Sequence, residues 1–390
     1  MKRNRFKVTI AFSLMAIMLI SLFFTSYAKT PDLGVALITS AAGANDKGYN
    51  ESAIQGLELA KKTFGINYKV VESSDIPGSL TQLADAGYKV IFSLEYNFDA
   101  LINGVGGKNA IAKQYPNTTF VIFNDNPNVD KNGKVINKNV VSVLFDVHEA
   151  SFMAGVLSTL VNENAKTLFN AQDYNFTPGD AGRKIGFIGG TKSNGITVFS
   201  YGFAEGINYE AQKLNVKYTY YSDYNAGFTD SAAGSTKANT YYQNGANVVF
   251  GVAGAVGDGV DSKAKEVKKF SIEVDANKDN NQPGYILTSV LKNTKVPVYE
   301  ILKNYKNNTL AKVNGKLLSY NLASGATGIT DLSVIQSKIV PSGKAKWNEI
   351  KSELDSVAKK IASGKIKVTN AQAGEAFDKT ALKSLSMPND

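Results

Sequence analysis

No cysteine occurs in the 390 residues, so disulfides, thiolate-bound zinc, iron–sulfur clusters, cysteine nucleophiles and a lipid-modified lipobox cysteine are all excluded. With one histidine, His148, a serine–histidine triad has a single possible base and a multi-histidine metal site has none. His148 lies in DVHEASFMAGV, at the start of a helical pattern, where a structural or capping role is expected ahead of catalysis. Long runs of like charge are also missing. Lysines are scattered among acids with no basic stripe, so no nucleic-acid partner is expected. Beyond residue 28 no apolar run is long enough to cross a bilayer. No metal or other cofactor is expected.

The N-terminus supplies what the rest lacks. MKRNRFK is basic, VTIAFSLMAIMLISLFF is apolar, and Ser26 and Ala28 are the small residues of a small-x-small site. This layout predicts a secretory signal peptide over residues 1–28, cleaved after Ala28; an uncleaved anchor is the alternative reading. The formal charge is +9, and four positives (Lys2, Arg3, Arg5, Lys7) lie in the leader, which leaves +5 without it. The expected location is exported, periplasmic or cell-surface associated, with no stable membrane anchor after cleavage.

Short β-branched runs then alternate with helical patterns. DLGVALITS, NYKVVES, YKVIFSL and TTFVIFND read as strands, with helices after the first two and a helical stretch from about Asp99 to Tyr115 after the third. The rhythm restarts with VVSVLFD, HEASFMAGVLSTLVNENA and KIGFIGG, and continues through VKYTYYS, NVVFGVAG, a helix from about Gly259 to Val267, KFSIEVD and YILTSVL. Nearly continuous apolar strands alternating with helices predict doubly wound parallel sheets. Roughly 360 residues after the leader exceed one core and favour two lobes. Trp347, Ile350 and Leu354 form one stripe on a C-terminal surface helix, where Trp347 is expected to dock that helix. NPNVDKNGKVINKN (126–139) reads as a hairpin or connecting loop. TLFNAQDYNFTPGDAGR (167–183) reads as an exposed excursion, or else a lid or partner loop.

In open parallel sheets, ligands gather beyond the carboxyl ends of the strands. That rule selects Ser40 to Asn50, Leu94 to Phe98, Asn124 to Asn126, Gly189 to Asn194, Asp223 to Phe228, Gly251 to Gly259, and Asp275 to Asn277. Aromatics (Tyr49, Tyr96, Phe98, Phe228) stand there beside short polar side chains and glycines. GVAGAVGDG lacks both the P-loop Lys-Ser/Thr and the GxGxxG spacing, so a phosphate cradle is disfavoured. Asp46, Asp125, Asp258 and Asp275 are candidates to converge, although capping or hydroxyl binding accounts for them without hydrolysis. Aromatics, carboxylates and amides in one cleft suit a flat polar ring attached to a sugar; a base stacked on an aromatic is worth roughly 1–3 kcal/mol.

Several separated stretches resemble the basic membrane protein (BMP) family, the purine-nucleoside-binding components of bacterial ABC importers. They are NDKGYNESAIQG, VVSVLFDVHEASFMAGV, KIGFIGG, GANVVFGVAGAVGDGV, the Val274-Asp275 pair, SVLKNTKVPVYEIL and the closing AKKIASGKIKV, spanning about Asp32 to Val368. The resemblance implies an α/β type I periplasmic-binding-protein fold, with two doubly wound parallel-sheet lobes joined by hinge strands that close over a nucleoside. It implies lobes at 29–140 plus about 277–315 and at about 141–276 plus about 316–342, with 343–390 as helix and tail. Tyr49 matches the loop aromatic that stacks on the base, and Phe228 the aromatic from the other lobe. Asp46 and Asn50 match polar loop positions, and Asp125 the acid ending the fourth strand. Gly254, Gly257, Asp275 and Lys292 fall where the family contacts its ligand, chiefly the ribose. Two positions depart from the family pattern: Ser40 stands where an acid is common, and Asn45-Asp46 replaces Asp-Asp.

The expected function is therefore capture of a nucleoside and its delivery to an ABC permease by a monomeric, non-enzymatic protein. In the opening loop Tyr49 would be a stacking plate, with Asp46 and Asn50 at the mouth of the cleft; the competing reading makes Asp46 and Asn50 helix caps. A sugar or other polar solute on the same fold, a surface adhesin or antigen, and a nucleoside-cleaving enzyme are the alternatives.

Overall fold

The computed structural model describes residues 34–95 and 97–388; the leader and Tyr96 fall outside them. Two parallel sheets organise these residues. The first contains β1 (Val35–Ile38), β2 (Tyr68–Val71), β3 (Val90–Ser93), β4 (Thr119–Phe123), β5 (Val140–Phe145) and, from far downstream, β11 (Leu317–Tyr320). Its order is β11-β5-β4-β3-β1-β2, parallel throughout. The second contains β6 (Lys184–Gly189), β7 (Tyr218–Asp223), β8 (Val248–Val252), β9 (Phe270–Asp275), β10 (Ile286–Lys292), β12 (Thr327–Ile329) and β13 (Leu385–Ser386). Its order is β12-β10-β9-β8-β6-β7-β13, and only β12 runs antiparallel to its neighbour.

The apolar runs are unbroken because both faces of each strand are covered. Val35 and Leu37 join the core on one face of the first sheet, while Ala36 and Ile38 join the core on the other. Ile185 and Phe187 part from Ile188 in the same way in the second sheet. The covering helices are α1 (Tyr49–Phe64), α2 (Ile76–Asp85), α3 (Asp99–Ile102), α4 (Ile111–Gln114), α5 (Val147–Leu168), α6 (Asn194–Lys213), α7 (Ser231–Gln243), α8 (Ala255–Glu266), α9 (Lys295–Lys306), α10 (Ser333–Gln336) and α11 (Lys344–Ala362).

The chain passes between the lobes three times. It leaves the first sheet between β5 and α5, returns between β10 and α9, and leaves again between β11 and β12, since α5 packs on α6 and α9 packs on α1. This is the expected type I architecture, but three strands lie across the expected lobe boundaries. β5 belongs to the first sheet, β10 to the second and β11 to the first. Strand–helix alternation counts strands without saying which sheet each joins, and the crossings carry no linker-like composition.

Local expectations also shift. The helical stretch after β3 breaks into α3 and α4, separated by a glycine-rich loop in which Gly104, Gly106 and Gly107 take left-handed backbone angles. The 167–183 segment is largely an exposed excursion, as expected, but it is pinned to the lobe by aromatic anchors. Phe169 and Tyr174 are buried, their rings pack with Phe176 and Phe270, and the Tyr174 hydroxyl donates to Gly284 O at 2.7 Å. Residues 126–139 do turn as a hairpin, with Val129 bridged to Val135. Trp347 is buried and donates to Gln336 Oε1 at 3.0 Å, docking α11 as expected.

Candidate ligand cleft

The loop from Ser40 to Gly48 is tied down from within. Asp46 caps α1: its Oδ1 accepts from the backbone N–H groups of Gly48 and Glu51, both at 3.0 Å, and its Oδ2 accepts from that of Asn50 at 2.8 Å. The buried Asn50 amide accepts from the Ser40 N–H at 2.9 Å and donates to Ser40 Oγ at 2.9 Å and Gly43 O at 2.8 Å. These bonds satisfy helix-end donors and fix the loop. Ser40, Asp46 and Asn50 therefore spend their polar atoms on the loop itself; Asp46 caps the helix as the alternative reading held, Asn50 braces the loop instead of capping, and Asn45 is left exposed beside them.

Tyr49, the first residue of α1, is 7% exposed. Its hydroxyl donates to Leu94 O at 3.3 Å and accepts from Asn124 Nδ2 at 2.7 Å. The Lys292 ammonium lies 5.1 Å from the Tyr49 ring centroid, 5.6 Å from that of Phe199 and 5.8 Å from that of Phe145. Lys292 is thus caged by rings from both lobes at the floor of the cleft, a cation–π arrangement in a desolvated place. Burial lowers its pKa to about 8, against an upward pull from Asp275.

Asp275 ends β9 with a left-handed backbone (φ 71°) and is half-buried. Burial pushes its carboxyl up to about 6, opposed by Lys292 and Lys278 and reinforced by Asp46 and Glu273. Asn124, just beyond β4, is left-handed too (φ 67°). Non-glycine residues in this region are uncommon, and such backbones cluster at ligand-facing positions. Asp275 faces the start of α1 in the other lobe: a methyl group on Gly48 would sit 3.5 Å from Asp275 Cβ and 3.7 Å from its Oδ2. A carboxylate at a helix N-terminus is where the helix dipole favours one.

Across the cleft, Phe228 is 41% exposed, an unusual state for a phenylalanine. Its ring lies on Gly190, where a Cβ would come within 2.3 Å of ring carbon Cε1. Its carbonyl accepts from Ala255 N at 2.9 Å, which seats Phe228 on the first turn of α8. Gly254 precedes that turn with φ 54°, and a Cβ there would meet Phe228 O at 2.8 Å; a Cβ on Gly257 would meet Glu273 Oε1 at the same distance.

The expected convergence of four acids does not occur. Of the other three, only Asp46 comes near enough to Asp275 to raise its pKa across the cleft. Asp125 is exposed, and its Oδ1 accepts from the Asn126 N–H at 2.7 Å. Asp258 instead clusters with the buried Asp261 and Glu273. The structure adds two residues that sequence reasoning missed, Phe145 and Phe199, while Asn124, Gly48 and Gly190 lie in the strand-end loops selected above without having been singled out. Phe145 is the last residue of β5, just short of where the strand-end rule looks; Phe199, inside α6, carries no such signal.

Comparison with known proteins gives the family and the fold. Residues 34–360 match the family described as Bmp, ABC transporter substrate-binding protein PnrA-like. The chain is 27% identical to basic membrane protein A of Borreliella afzelii, over 85% of this chain and 91% of that one. It is 28% identical to the ABC transporter nucleoside-binding protein BmpA of Lactococcus lactis, over 78% and 83%. In fold it is similar to a solute-binding protein of an ABC transporter system from Aeropyrum pernix, with TM-score 0.68, 21% identity and coverage of 90% and 96%.

Proposed function

The chain belongs to the Bmp family of PnrA-like ABC transporter substrate-binding proteins, and from that premise we propose that it captures a nucleoside outside the cytoplasm and delivers it to an ABC permease. The observation that carries this reading is the trio of groups around the cleft: the exposed ring of Phe228, the half-buried carboxyl of Asp275 and the caged ammonium of Lys292. The Lactococcus lactis relative, named as a nucleoside-binding protein, points to the same ligand class.

Phe228 stacks on the base, which needs an open aromatic face and no particular base edge. Asp275 accepts from vicinal ribose hydroxyls, and Lys292 donates to a ligand oxygen. Gly254 and Gly257 let the backbone of the α8 turn approach the sugar. Tyr49 closes the opposite side as the lobes shut, held in place by its bonded hydroxyl. Asn45 and Asp125 line the rim. One chain supplies every group, the ligand leaves unchanged, and hinge closure provides the affinity.

The test is a thermal-shift panel on residues 29–390, unfolded and refolded beforehand to strip carried-over ligand. It compares adenosine, guanosine, inosine, uridine, free bases, ribose and galactose. A ligand at 100 times its dissociation constant adds roughly 2.7 kcal/mol, so shifts confined to nucleosides support the reading. A flat response from well-folded protein, or shifts with sugars alone, overturns it.

A further inference from the structure

Residues beyond the family-matched segment, which ends at 360, run back across the second lobe and then reach the first. Three fastenings lie along one face of α6, four and then three residues apart. Glu205 accepts from the Thr369 N–H at 2.9 Å and from its hydroxyl at 2.6 Å. Tyr201 stacks on Phe377, with centroids 4.1 Å apart and planes 1° from parallel. Asn208 Oδ1 accepts from the Ser384 N–H at 2.9 Å, and β13 follows directly as an edge strand beside β7.

Between the first two fastenings, a short turn at Ala371–Ala373 packs on α6 and extends side chains toward the other lobe. Gln372 Nε2 donates to Asn124 O at 3.4 Å, and Asn370 Nδ2 donates to Asp146 Oδ1 at 3.4 Å, at the first crossing of the chain between lobes. Gln372 Oε1 is buried and has no partner among the described residues. Asn124 is the left-handed residue whose amide holds the Tyr49 hydroxyl. A continuous line therefore runs from α6 in the second lobe, through the tail, to the ring at the cleft floor in the first.

We propose that residues 369–386 form a strap holding the lobes together, and that Gln372 is a positioning residue that secures Asn124, and through it Tyr49, for ligand capture. Two long hydrogen bonds suit a clasp that opens and closes, because neither alone locks the hinge. Releasing the clasp lowers the fraction of molecules in the closed state. Apparent affinity falls with that fraction, since the dissociation constant is divided by the competent population.

The ligand arm of the test rests on the nucleoside reading above; the distance arm does not. Because the chain has no native cysteine, Glu58→Cys in α1 and Ala232→Cys in α7 place one spin label on each lobe, both at exposed positions. Pulsed-EPR distance distributions would be recorded for residues 29–390 carrying this pair, alone and with Gln372→Ala or Gln372→Glu, without ligand and with adenosine. Gln372→Glu leaves the side chain's length intact but turns an acceptor toward the Asn124 carbonyl. Both variants are expected to shift the unliganded distribution toward longer distances. They should also raise the adenosine dissociation constant by the factor lost from the short-distance population, about two- to tenfold for one hydrogen bond. Unchanged distributions in both variants overturn the strap, whatever adenosine does. An affinity change without a matching change in distances overturns it as well. If the parent protein binds no adenosine, the distance shift alone decides for or against the strap, and the nucleoside reading is answered separately by the panel.

Discussion

The Lys292 ammonium sits 5.1 Å from the Tyr49 ring centroid, in a place so dry that its pKa falls from 10.5 to about 8. The unfolded chain keeps the ordinary lysine value, so between pH 8 and 10.5 the unfolded state binds more protons than the folded one. Stability of the empty protein should therefore rise with pH across that window, as the cost of burying the charge disappears. The shift corresponds to a cost on the order of 3 kcal/mol at neutral pH. Lys292→Met should stabilise the empty protein at pH 7, abolish the alkaline rise and weaken ligand capture. Urea unfolding at pH 7, 9 and 10.5 checks the first two points. A variant no more stable than the parent at pH 7 would show that the rings compensate the charge in full.

Asp275 gives the acid side of the same profile. Its carboxyl is pushed up to about 6 by burial, so it is ionised at pH 7 and protonated at pH 5. A protonated carboxyl loses half of its acceptor character toward vicinal hydroxyls. Nucleoside affinity should hold between about pH 6 and 8 and fall below pH 6, with Asp275→Asn weak and flat across that range. The empty protein should respond in the opposite sense: the folded state binds the proton more tightly than an ordinary aspartate, so this group's contribution is greatest below pH 3.8 and is lost as pH rises through 6. Titration calorimetry from pH 5 to 8 separates the two effects. An affinity that does not change through pH 6 would remove Asp275 from the contact set.

Tyr49→Phe tests whether the hydroxyl or the ring matters. The substitution removes the 2.7 Å bond from Asn124 and the 3.3 Å bond to Leu94 O while leaving the ring's volume in place. It should cost about 1 kcal/mol of stability and leave nucleoside binding within a few-fold of the parent. Loss of binding comparable to Tyr49→Ala would assign the ligand contact to the hydroxyl instead.

Much of the scaffold was legible in the sequence because unbroken apolar runs report burial on both faces, as Val35 to Ile38 do with no exposed residue among them. The ends of those runs gave the loops now proposed to line the cleft. What composition could not convey was partnership. Asp46 and Asn50 look like ligand groups until their hydrogen bonds are followed into the loop itself. β10 joins the second sheet and β11 the first, each the reverse of the lobe expected for it. The 99–115 stretch has helical periodicity, but left-handed glycines at 104, 106 and 107 interrupt it. The tail from 369 onward gave no periodic signal, since it is held by single side chains such as Thr369 and Ser384 rather than by a repeating face.

Gly190 offers the sharpest test of the stacking plate, because it changes the plate's position without touching its chemistry. A Cβ at 190 would lie 2.3 to 2.7 Å from three carbons of the Phe228 ring, well inside contact distance, so the ring must move. The ring is partly exposed and free to swing outward, which keeps the expected stability loss of Gly190→Ala within about 1 kcal/mol. Displacement removes the face on which a base stacks, worth roughly 1–3 kcal/mol, or about five- to a hundredfold in affinity. Gly190→Ala and Phe228→Ala should therefore weaken nucleoside binding to similar extents, and the double variant should be little worse than either alone. Additive losses in a double-mutant cycle would mean that the two residues act separately and that Phe228 is a surface residue rather than a plate.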